Sequence, residues 1–502
     1  MKKILVNVTP WQTRVAITRD DVLQNIYFSS HSTEQLERSY FNGVVTKVLP
    51  GIQTAFVDFG QERAGFLHIS EIDRVLAVQK MSDTFDDDEE TPKQRPQQKA
   101  DISKIVREGE RILVQVSKEP VNEKGAKLTT CFTLPGRFIV LLPNIARIGI
   151  SKKIESREER SRLKELLQTH LPEGMGAIIR TTSDEEDSRD ILQDLQYLVS
   201  IWRTIEARQK EAQDKEKIYE DIDLSLQAVR DHLDVDVELL ISDNAENQKQ
   251  IHKFVKSIAP DHAHKVRLYE GPPALFDRYN IEDQIEQGLK SKVYLKSGGS
   301  IVIESTEAMT VVDVNTGRYI GKTNLEDTIL KTNLEAAEEI VRQLRLRNIG
   351  GLIVIDFIDM ASGSHRQKLN RFFEKTLKEH DKFQSVVLKV SEFGLVQMTR
   401  KRSGKTLLHQ LMKPCTDCKG LGFVKSTADE SYTILRSLAE ELSHKGKDAT
   451  TATLTVHQAV FNFITSGEYN AILDLEKKYN LKILLVSKEE HDSLHVHKIS
   501  VS

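Results

Sequence analysis

Two stretches of sequence decide the fold: residues 310–318 read TVVDVNTGR, and residues 351–359 read GLIVIDFID. The first stretch alternates apolar and polar residues as a strand does, so we expect Asp313 and Asn315 on the same face. The second is a short apolar run that follows two glycines, which is typical of a central strand buried on both faces, and it leads to Asp356. Each predicted strand therefore carries polar side chains towards its end.

The segment between these strands predicts one long amphipathic helix over residues 324–348. Its apolar residues recur at the spacing of a helical stripe, and residues 348–351 supply the stop. A strand, a helix and a second strand make a crossover unit, in which the two strands run parallel and close together. The polar side chains of the two strands are therefore expected to meet.

Carboxylate and amide oxygens are the hard ligands that Mg²⁺ takes, with water and substrate phosphate completing the octahedron. Asp313, Asn315 and Asp356 together therefore predict a Mg²⁺-dependent phosphodiester hydrolase. The plainer alternative is that residues 315–317 form only a turn and that Asp359 only begins a loop.

The bulk composition indicates a multidomain globular chain. It has 502 residues, of which 39% are hydrophobic and 29% charged, enough for several cores. No apolar run reaches the length of a membrane span, and the first residues predict a strand rather than a signal peptide. Three cysteines exclude a disulfide framework and favour a reducing, cytoplasmic compartment. The net charge of −4 decides nothing about nucleic acid, because six acidic residues fall within residues 83–90.

Residues 2–30 predict a β-meander that is too small to form a core alone. Residues 38–130 predict a separate all-β module of short strands with glycines between them. Within it, Phe56 and Phe66 flank a turn and Lys118 ends a later strand, an arrangement that suits the stacking of single-stranded bases. The alternative is that both phenylalanines are ordinary core residues.

Residues 79–100, inside this module, are acidic and of low complexity, so we expect a disordered loop. Residues 129–221 predict a strand pair with helices around it. There, Arg180 and Thr181 combine a guanidinium fork with a hydroxyl, which suits a terminal phosphate monoester. The alternative is a surface arginine that pairs with a carboxylate. Residues 237–242 then predict a strand that can complete the N-terminal meander.

A dense basic segment occupies residues 398–405. Arg400, Lys401 and Arg402 lie in it, at the end of the catalytic strands, where an RNA backbone would pass. The alternative is a solvated basic loop.

Cys415 and Cys418 have the C-x-x-C spacing of a zinc knuckle, with glycines close by for the tight turn. A structural zinc ion takes four ligands, so two per chain predict one zinc shared by two chains and hence a homodimer. His409 is the candidate ligand for the alternative, a site within one chain. A redox dithiol is a further alternative, disfavoured because no thioredoxin-like βαβ pattern is evident after it. Cys131 is expected in a core.

Seven motifs in order resemble the ribonuclease E/G family over essentially the whole chain. They are AFVDFG with GFL (55–60, 65–67), GAKLTT (125–130), LPEGMG with RT (171–176, 180–181), VDVNTG (312–317), DFIDM (356–360), GLVQMTR (394–400) and the cysteine knuckle. Because no long disordered scaffold follows the last small domain, the chain is more similar to the G type than to the E type.

The resemblance implies a multidomain α+β and α/β architecture. Its implied parts are an RNase H-like subdomain in two pieces (1–37 and 222–285), an inserted S1 RNA-binding domain with an OB-fold barrel (38–128), a 5′-sensor (129–221), a DNase I-like catalytic subdomain (286–402), a zinc link (403–424) and a small C-terminal α/β domain (425–502).

The resemblance also implies an endoribonuclease that cuts single-stranded, A/U-rich RNA and favours 5′-monophosphorylated ends. Its implied roles are 5′-end maturation of ribosomal RNA, tRNA processing and mRNA decay. In the catalytic site, the resemblance implies Asp313 and Asp356 as ligands of one Mg²⁺ per chain and Asn315 as the residue that orients the scissile phosphate or the metal. For RNA binding it implies Arg180 and Thr181 at the 5′-phosphate, and Phe56, Phe66 and Lys118 along the strand. It also implies that Cys415 and Cys418 bind the shared Zn²⁺, in a homodimer or a dimer of dimers.

Two other classes of function stay as alternatives. One is an RNA-binding regulator without catalysis, against which the presence of Asp313, Asn315 and Asp356 together argues. The other is a metal-dependent DNase, against which the predicted RNA-binding module argues.

Overall fold

The computed structural model describes most of the chain, in two compact units, Met1–Leu408 and His409–Ser502. The described residues are 1–32, 35–73, 85–86, 101–120, 125–316, 325–391, 393–401, 404–416, 418, 420–445, 449–487 and 496–502.

The strands of the first unit are, in chain order, β1 (Lys2–Val8), β2 (Gln12–Arg19), β3 (Val22–Ser30), β4 (Tyr40–Leu49), β5 (Thr54–Asp58), β6 (Gly65–His68), β7 (Phe85–Asp86), β8 (Arg111–Lys118), β9 (Lys127–Thr129), β10 (Leu134–Pro135), β11 (Ile139–Leu142), β12 (Ile148–Ser151), β13 (Gly176–Ile179), β14 (Lys217–Tyr219), β15 (Val237–Ser242), β16 (Val266–Leu268), β17 (Lys292–Tyr294), β18 (Ser300–Ser305), β19 (Met309–Asn315), β20 (Gly351–Asp356), β21 (Ser385–Val387) and β22 (Leu395–Arg400).

Its α-helices are α1 (Ile102–Ile105), α2 (Arg157–His170), α3 (Ser188–Glu211), α4 (Leu224–His232), α5 (Ala245–Ile258), α6 (Leu275–Arg278), α7 (Ile281–Leu289), α8 (Leu325–Leu346) and α9 (Gly363–His380), after which α10 (Leu407–Leu411) spans the boundary. The second unit contains α11 (Thr427–Lys445), β23 (Thr451–Val456), α12 (Gln458–Gly467), α13 (Tyr469–Tyr479), β24 (Lys482–Ser487) and β25 (Lys498–Val501).

The N-terminal meander is completed by a distant strand, as predicted. Strands β1, β2 and β3 pair antiparallel in sequence, and β1 pairs in parallel with β15, which brings β16 into a five-stranded sheet. Ile4 and Val6 of β1 are fully buried with Leu240 of β15. The N-terminal segment thus obtains the core that it is too short to form alone.

The predicted all-β module is a closed five-stranded barrel. Strands β4, β5, β6, β9 and β8 pair in that order, and β8 pairs back to β4. The interior is apolar, with Val57, Leu67, Val114 and Leu128 fully buried. A closed barrel of five short strands is consistent with the OB-fold predicted for it.

A third sheet follows the barrel, in the order β10, β11, β13, β12 and β7. The predicted strand pair is observed as β11 and β13, and the predicted helix as α3, which buries Leu195 and Trp202 against the sheet core. Disorder was expected over residues 79–100, but Phe85 and Asp86 pair with β12, so for these two residues the expectation is wrong. The rest of that segment lies outside the described residues.

The fourth sheet contains the two stretches that the sequence singled out, in the order β17, β18, β19, β20, β22 and β21. As predicted, β19 and β20 are parallel neighbours joined by the long helix α8. The helix ends at Leu346, and the stop is visible in the left-handed backbone of Asn348, with φ of 51°.

One prediction about this sheet is wrong, because β20 is buried on one face rather than on both. Ile353 and Ile355 are fully buried, in a core shared with residues of α8 and α9, whereas Leu352 is 41% exposed and Asp356 is exposed. On β19, Asp313 lies on the same open face. An apolar run alone does not distinguish a strand covered on one side from a strand covered on both.

In the second unit, β23 pairs in parallel with β24 and antiparallel with β25. Helices α12 and α13 connect the parallel pair and share a core with α11. A βαβ crossover therefore does follow the cysteine pair, contrary to the expectation from the sequence. In the part of the chain that the structure describes, no helix is both long and apolar enough to span a membrane.

Candidate active site and nucleic-acid interface

The parallel pairing of β19 and β20 brings two carboxylates side by side. Asp313 and Asp356 are direct register partners, and both side chains are exposed on the open face of the sheet. Neighbouring strands lie about 4.8 Å apart, so the two carboxylates emerge next to each other. The structure thus brings together the two acids that the sequence singled out.

Asn315 belongs to the same cluster. It follows Asp313 by two residues on β19, so it projects from the same face, and its Nδ2 donates a hydrogen bond to Asp313 Oδ2 over 2.7 Å. The amide therefore holds one oxygen of the carboxylate in a fixed orientation.

A third acid, Asp359, contributes charge to this cluster. The pKa of Asp356 lies above its ordinary value because of partial burial and the negative charges of Asp313 and Asp359. Sequence reasoning assigned Asp359 no role, although its position three residues after Asp356 in a short loop was a usable signal. Like charges held this close favour a bound cation.

The donor set fits Mg²⁺. This ion is usually bound through one or two carboxylates and keeps several waters, and Asp313 and Asp356 supply two, with the Asn315 amide beside them. Among the described residues, no group of three or more His, Cys, Asp or Glu side chains is arranged to hold a metal. The described part of this chain therefore does not form a metal site in which the protein supplies all the ligands.

A cleft of about 460 Å³ opens beside the acidic cluster. Its walls include Asp359, His365 and Phe393, and the ring of Phe393 is 78% exposed. An open, partly aromatic cleft of this size can receive a nucleotide.

The outer face of the barrel carries a row of aromatic and basic side chains. Phe56 and Phe66 are cross-strand partners, and the next strands bring Lys127 beside Phe66 and Lys118 beside Lys127. On the other side, Lys47 is the partner of Phe56. Both phenylalanines are half-buried and lie outside the barrel core. The sequence did not reveal Lys47 and Lys127, because the strand register decides which residues adjoin the rings.

Arg180 and Thr181 lie together at the end of β13. Thr181 is exposed and opens a 3₁₀ turn, Thr181–Ser183. The guanidinium of Arg180 makes two hydrogen bonds. Its Nη2 donates to Asp231 Oδ1 over 2.9 Å, and its Nη1 donates to the carbonyl oxygen of Gly136. The ion pair with a carboxylate, which was the alternative interpretation, is therefore present.

The partner of Arg180 is a strongly ionised acid. Burial acts to raise the pKa of Asp231, but the charges of Arg180 and Arg230 outweigh it and hold that pKa well below its usual range. The carboxylate thus fixes the guanidinium in place.

The basic segment divides into different environments. Arg400 is 3% exposed, and its Nε and Nη2 bind both oxygens of Asp381 over 2.6 and 3.0 Å. Its Nη1 donates to the carbonyl of Ile349, and its guanidinium lies over the ring of Phe383. The expectation that Arg400 contacts RNA is therefore wrong, because its donors are used inside the fold.

Of the other two predicted RNA contacts in this segment, Lys401 is exposed. Arg402 lies outside the described residues. A residue must expose its charge to contact an RNA phosphate. Lys401 does so, and its contact with RNA stays a prediction.

Hydrogen-bond donors surround one sulfur of the cysteine pair. Cys415 is exposed, and Cys418 has a lowered pKa because the backbone amides of Gly422 and Gly420 donate to it, as does the Cys415 side chain. Both glycines have positive φ, 76° and 91°, which lets the chain fold back on the sulfur. Thiolates are the form that binds zinc. In the described residues no third ligand, His409 included, joins the pair; Cys131 is buried, as predicted.

The chain matches two models of a known protein family. The Ribonuclease E/G family model matches residues 133–403, and the model "RNase E/G, Thioredoxin-like domain" matches residues 414–500. The chain is 37% identical over 474 residues to ribonuclease G of Salmonella typhimurium (strain SL1344), covering 94% of each protein. The chain belongs to the ribonuclease E/G family. This membership confirms the resemblance seen in the sequence and the predicted enzyme class, an endoribonuclease.

Within the family, the chain is most like ribonuclease G. It is 39% identical over 436 residues to ribonuclease G of Haemophilus influenzae, covering 87% of each protein. Ribonuclease E of Escherichia coli (strain K12) is 34% identical over 506 residues, which cover 100% of this chain but 46% of that protein. The thioredoxin-like match also agrees with the βαβ crossover of the second unit, whose absence had been the argument against a redox dithiol. However, Cys418 lies well before α11 and not between a strand and a helix of that crossover.

We predict that Arg400→Leu lowers the free energy of unfolding by about 3–5 kcal/mol, because it leaves Asp381 buried and unpaired. Urea unfolding followed by circular dichroism measures this. The matched control is the exposed neighbour, Lys401→Leu, whose effect should stay within about 0.5 kcal/mol. An Arg400→Leu protein of wild-type stability that has lost RNA binding would restore the RNA-contact assignment.

We predict that Asp356→Asn raises the Tm of the protein in EDTA at pH 8. The raised pKa means that ionisation of this carboxyl is less favourable in the folded state, so the charged carboxylate lowers the stability of the fold. This loss of stability is complete at pH values above the pKa in the folded state. It is absent at pH values below the ordinary pKa. The gain should therefore shrink as the pH falls towards 4. Glu304→Gln, which changes an exposed carboxylate on β18, is the control and should show no such gain. An Asp356→Asn protein that melts at or below the wild-type temperature at pH 8 would contradict the charge repulsion.

Proposed function

We propose that this chain is a Mg²⁺-dependent endoribonuclease that cuts single-stranded, A/U-rich RNA and favours 5′-monophosphorylated ends. Its proposed roles are rRNA 5′-end maturation, tRNA processing and mRNA decay in the cytoplasm. The observation that carries the proposal is the register pair Asp313–Asp356 on an open sheet face, with Asn315 bonded to Asp313. Family membership supports the reaction class.

In this proposal, Asp313 and Asp356 hold one Mg²⁺ per chain. When bound, Mg²⁺ supplies activation of water and stabilisation of the charge that builds on phosphorus. Asn315 keeps the Asp313 carboxylate oriented through its 2.7 Å hydrogen bond, and its further proposed role is to orient the scissile phosphate or the metal. Asp359 adds negative potential that strengthens cation binding without joining the ligand set.

The outer row of the barrel is proposed to bind the single strand. Phe56 and Phe66 are adjacent, half-buried aromatic residues proposed to stack on bases, and the exposed Lys118 offers a charge for the backbone. Lys127, within the row, is partly neutralised by Glu71 over 2.5 Å. Stacking needs unpaired bases, so the row favours a single strand over a duplex. Lys401 is proposed as a further backbone contact, and Arg402 stays a proposed one from the sequence alone.

Arg180 and Thr181 are proposed to sense the 5′-phosphate. Asp231 holds the Arg180 guanidinium in place, and the next residue, Thr181, is exposed, so these two side chains are the proposed donors to a terminal phosphate. Because Asp231 is also an anion, the phosphate would share Arg180 with it, which favours a modest rather than an absolute preference.

The finer architecture is part of the proposal. We assign the N-terminal sheet to an RNase H-like subdomain, the barrel to an S1 domain, the third sheet to the 5′-sensor and the fourth to a DNase I-like catalytic subdomain. The domain boundaries are those expected from the resemblance.

Cys415 and Cys418 are proposed to share one Zn²⁺ with the same two cysteines of a second chain. The result is a homodimer, and two such dimers can associate into a dimer of dimers. Two thiols are half of a structural zinc site. The segment beside them exposes large apolar side chains, with Leu421 at 77%, Phe423 at 85% and Val424 at 64%. Contiguous exposed apolar residues mark an interaction surface.

The direct test of the reaction is cleavage of a short A/U-rich single-stranded RNA with Mg²⁺ or with EDTA, by the wild type and Asp313→Asn. We predict Mg²⁺-dependent cutting, and a loss on the order of 10³-fold or more in Asp313→Asn, because one of two metal ligands becomes neutral. Glu304→Gln is the matched control. A 5′-monophosphate should speed cutting relative to a 5′-hydroxyl, and Arg180→Met should remove that difference alone.

Outcomes of this assay separate the alternatives. Binding of RNA without cutting would support the alternative of a non-catalytic RNA-binding regulator. Faster cutting of single-stranded DNA than of RNA would support the alternative of a DNase. Cutting that persists in EDTA would contradict the metal requirement.

We predict that Cys415→Ser with Cys418→Ser abolishes zinc binding and converts the dimer to monomer, because both chains carry both substitutions and the shared ion loses all four of its thiolate ligands. Elemental analysis of the wild type should find about one zinc for two chains, and light scattering gives the mass. Cys131→Ala is the control and should keep both zinc and dimer. One zinc per monomeric chain would point instead to a complete site within one chain.

A further inference from the structure

A fully buried asparagine on α8 holds the backbone that directly follows the catalytic strand. Asn333 is 0% exposed. Its Nδ2 donates to the carbonyl oxygen of Ile358 over 2.9 Å, and its Oδ1 accepts from the N–H of Ile358 over 3.1 Å. One side chain thus satisfies both backbone groups of a residue that lies beyond the end of the β20 ladder, between Asp356 and Asp359.

Among the described residues, two other sets of hydrogen bonds hold the backbone of residues 357–361. Arg366 of α9 donates Nη1 to the carbonyl oxygens of Met360 and Ala361, over 2.5 and 3.3 Å. The N–H of Phe357 reaches the carbonyl of Gly394 only over 3.4 Å. Asn333 is therefore the side chain that binds both backbone groups of a residue between the two carboxylates.

Burial of an amide is unfavourable unless its hydrogen bonds are made, and a leucine of similar size would fill the same space without that penalty. The neighbouring residue shows the difference. Thr332 is equally buried, but its Oγ1 donates to Thr328 within the same helix and to no part of the loop. Of these two buried polar side chains, Asn333 is the one that connects the crossover helix to the acidic cluster.

We propose that Asn333 is a positioning residue of the hydrolytic site, which fixes the loop after β20 so that Asp356 keeps its place beside Asp313 and Asp359 stays close enough to add its charge. The inference rests on the proposed function. It assigns the helix between the two catalytic strands a part in the site: α8 sets the strand order and also holds the end of β20 at a defined distance from β19. Groups that orient metal ligands typically change metal affinity or activity 10–100-fold when removed, roughly.

The experiment compares wild type, Asn333→Leu, Asn333→Asp and the control Thr332→Val, each as the full chain. Hydrogen–deuterium exchange of peptides covering residues 356–361 reports the attachment without any need for activity. Cleavage of the A/U-rich RNA over a range of Mg²⁺ concentrations then reports the consequence. Asn333→Asp keeps the acceptor for the Ile358 N–H and loses the donor, so it tests the proposal even if Asn333→Leu does not fold.

We expect faster exchange of residues 356–361 in both Asn333 variants and no change in Thr332→Val. The Mg²⁺ concentration for half-maximal activity should rise on the order of 10–100-fold in Asn333→Leu, with less change in Asn333→Asp and an unchanged KM for RNA. Excess Mg²⁺ should then recover much of the lost activity, which it would not do if the variant were merely less folded.

Wild-type exchange and wild-type Mg²⁺ dependence in the Asn333 variants would overturn the proposal, as would an activity loss that Mg²⁺ does not relieve and that follows the unfolded fraction seen by circular dichroism. Failure of the proposed function is a different result: wild type that does not need Mg²⁺, or Asp313→Asn that still cuts.

Discussion

The in-register parallel pairing of β19 with β20 is the constraint on which the rest of the structure depends. It holds Asp313 directly beside Asp356, and a slip of one residue would turn Asp356 towards the buried face. Two adjacent like charges oppose this arrangement, so the register must be stabilised elsewhere. The buried face does so through Val312, Ile353 and Ile355, which pack on the crossover helix α8. Burial on one face thus keeps the acids exposed on the other.

Cationic side chains serve two different purposes in the first unit. Two arginines are held by carboxylates, since the buried Arg400 binds Asp381 and the half-buried Arg180 binds Asp231. The planar guanidinium suits such sites because it can satisfy two acceptors at once. Lys118 and Lys401, by contrast, are exposed, so their charges can meet phosphates. A count of positive charges along the sequence cannot make this distinction.

Much of the fold was predictable because local patterns decide it. The alternation in β19, the stripe of α8 and the glycine-punctuated strands of the barrel each depend on neighbours in sequence, and family motifs added their order. The burial of β20 was mistaken because whether a second layer covers a strand depends on distant residues. Likewise, a βαβ crossover in the second unit was missed because two short helices, α12 and α13, separate its strands.

The proposed site was predictable in its acids and not in its environment. Asp313, Asn315 and Asp356 are visible from spacing, and the sheet brings them together. The interior position of Arg400 follows from Asp381, 19 residues earlier in the chain, which no local pattern connects to it. Lys47 and Lys127 adjoin the aromatic pair only through strand register. The role of Asn333 depends on a backbone contact 25 residues away.

The most direct measurement of the central claim is anomalous X-ray diffraction from crystals soaked in Mn²⁺, which takes the place of Mg²⁺ in oxygen sites. The account predicts one strong peak on the open face of the sheet, about 2.1 Å from a carboxylate oxygen of Asp313 and of Asp356. Asp313→Asn crystals, soaked identically, should lose it. A peak that contacts neither residue, or wild-type crystals with no peak there at saturating Mn²⁺, would contradict the claim that these two strands form the metal centre.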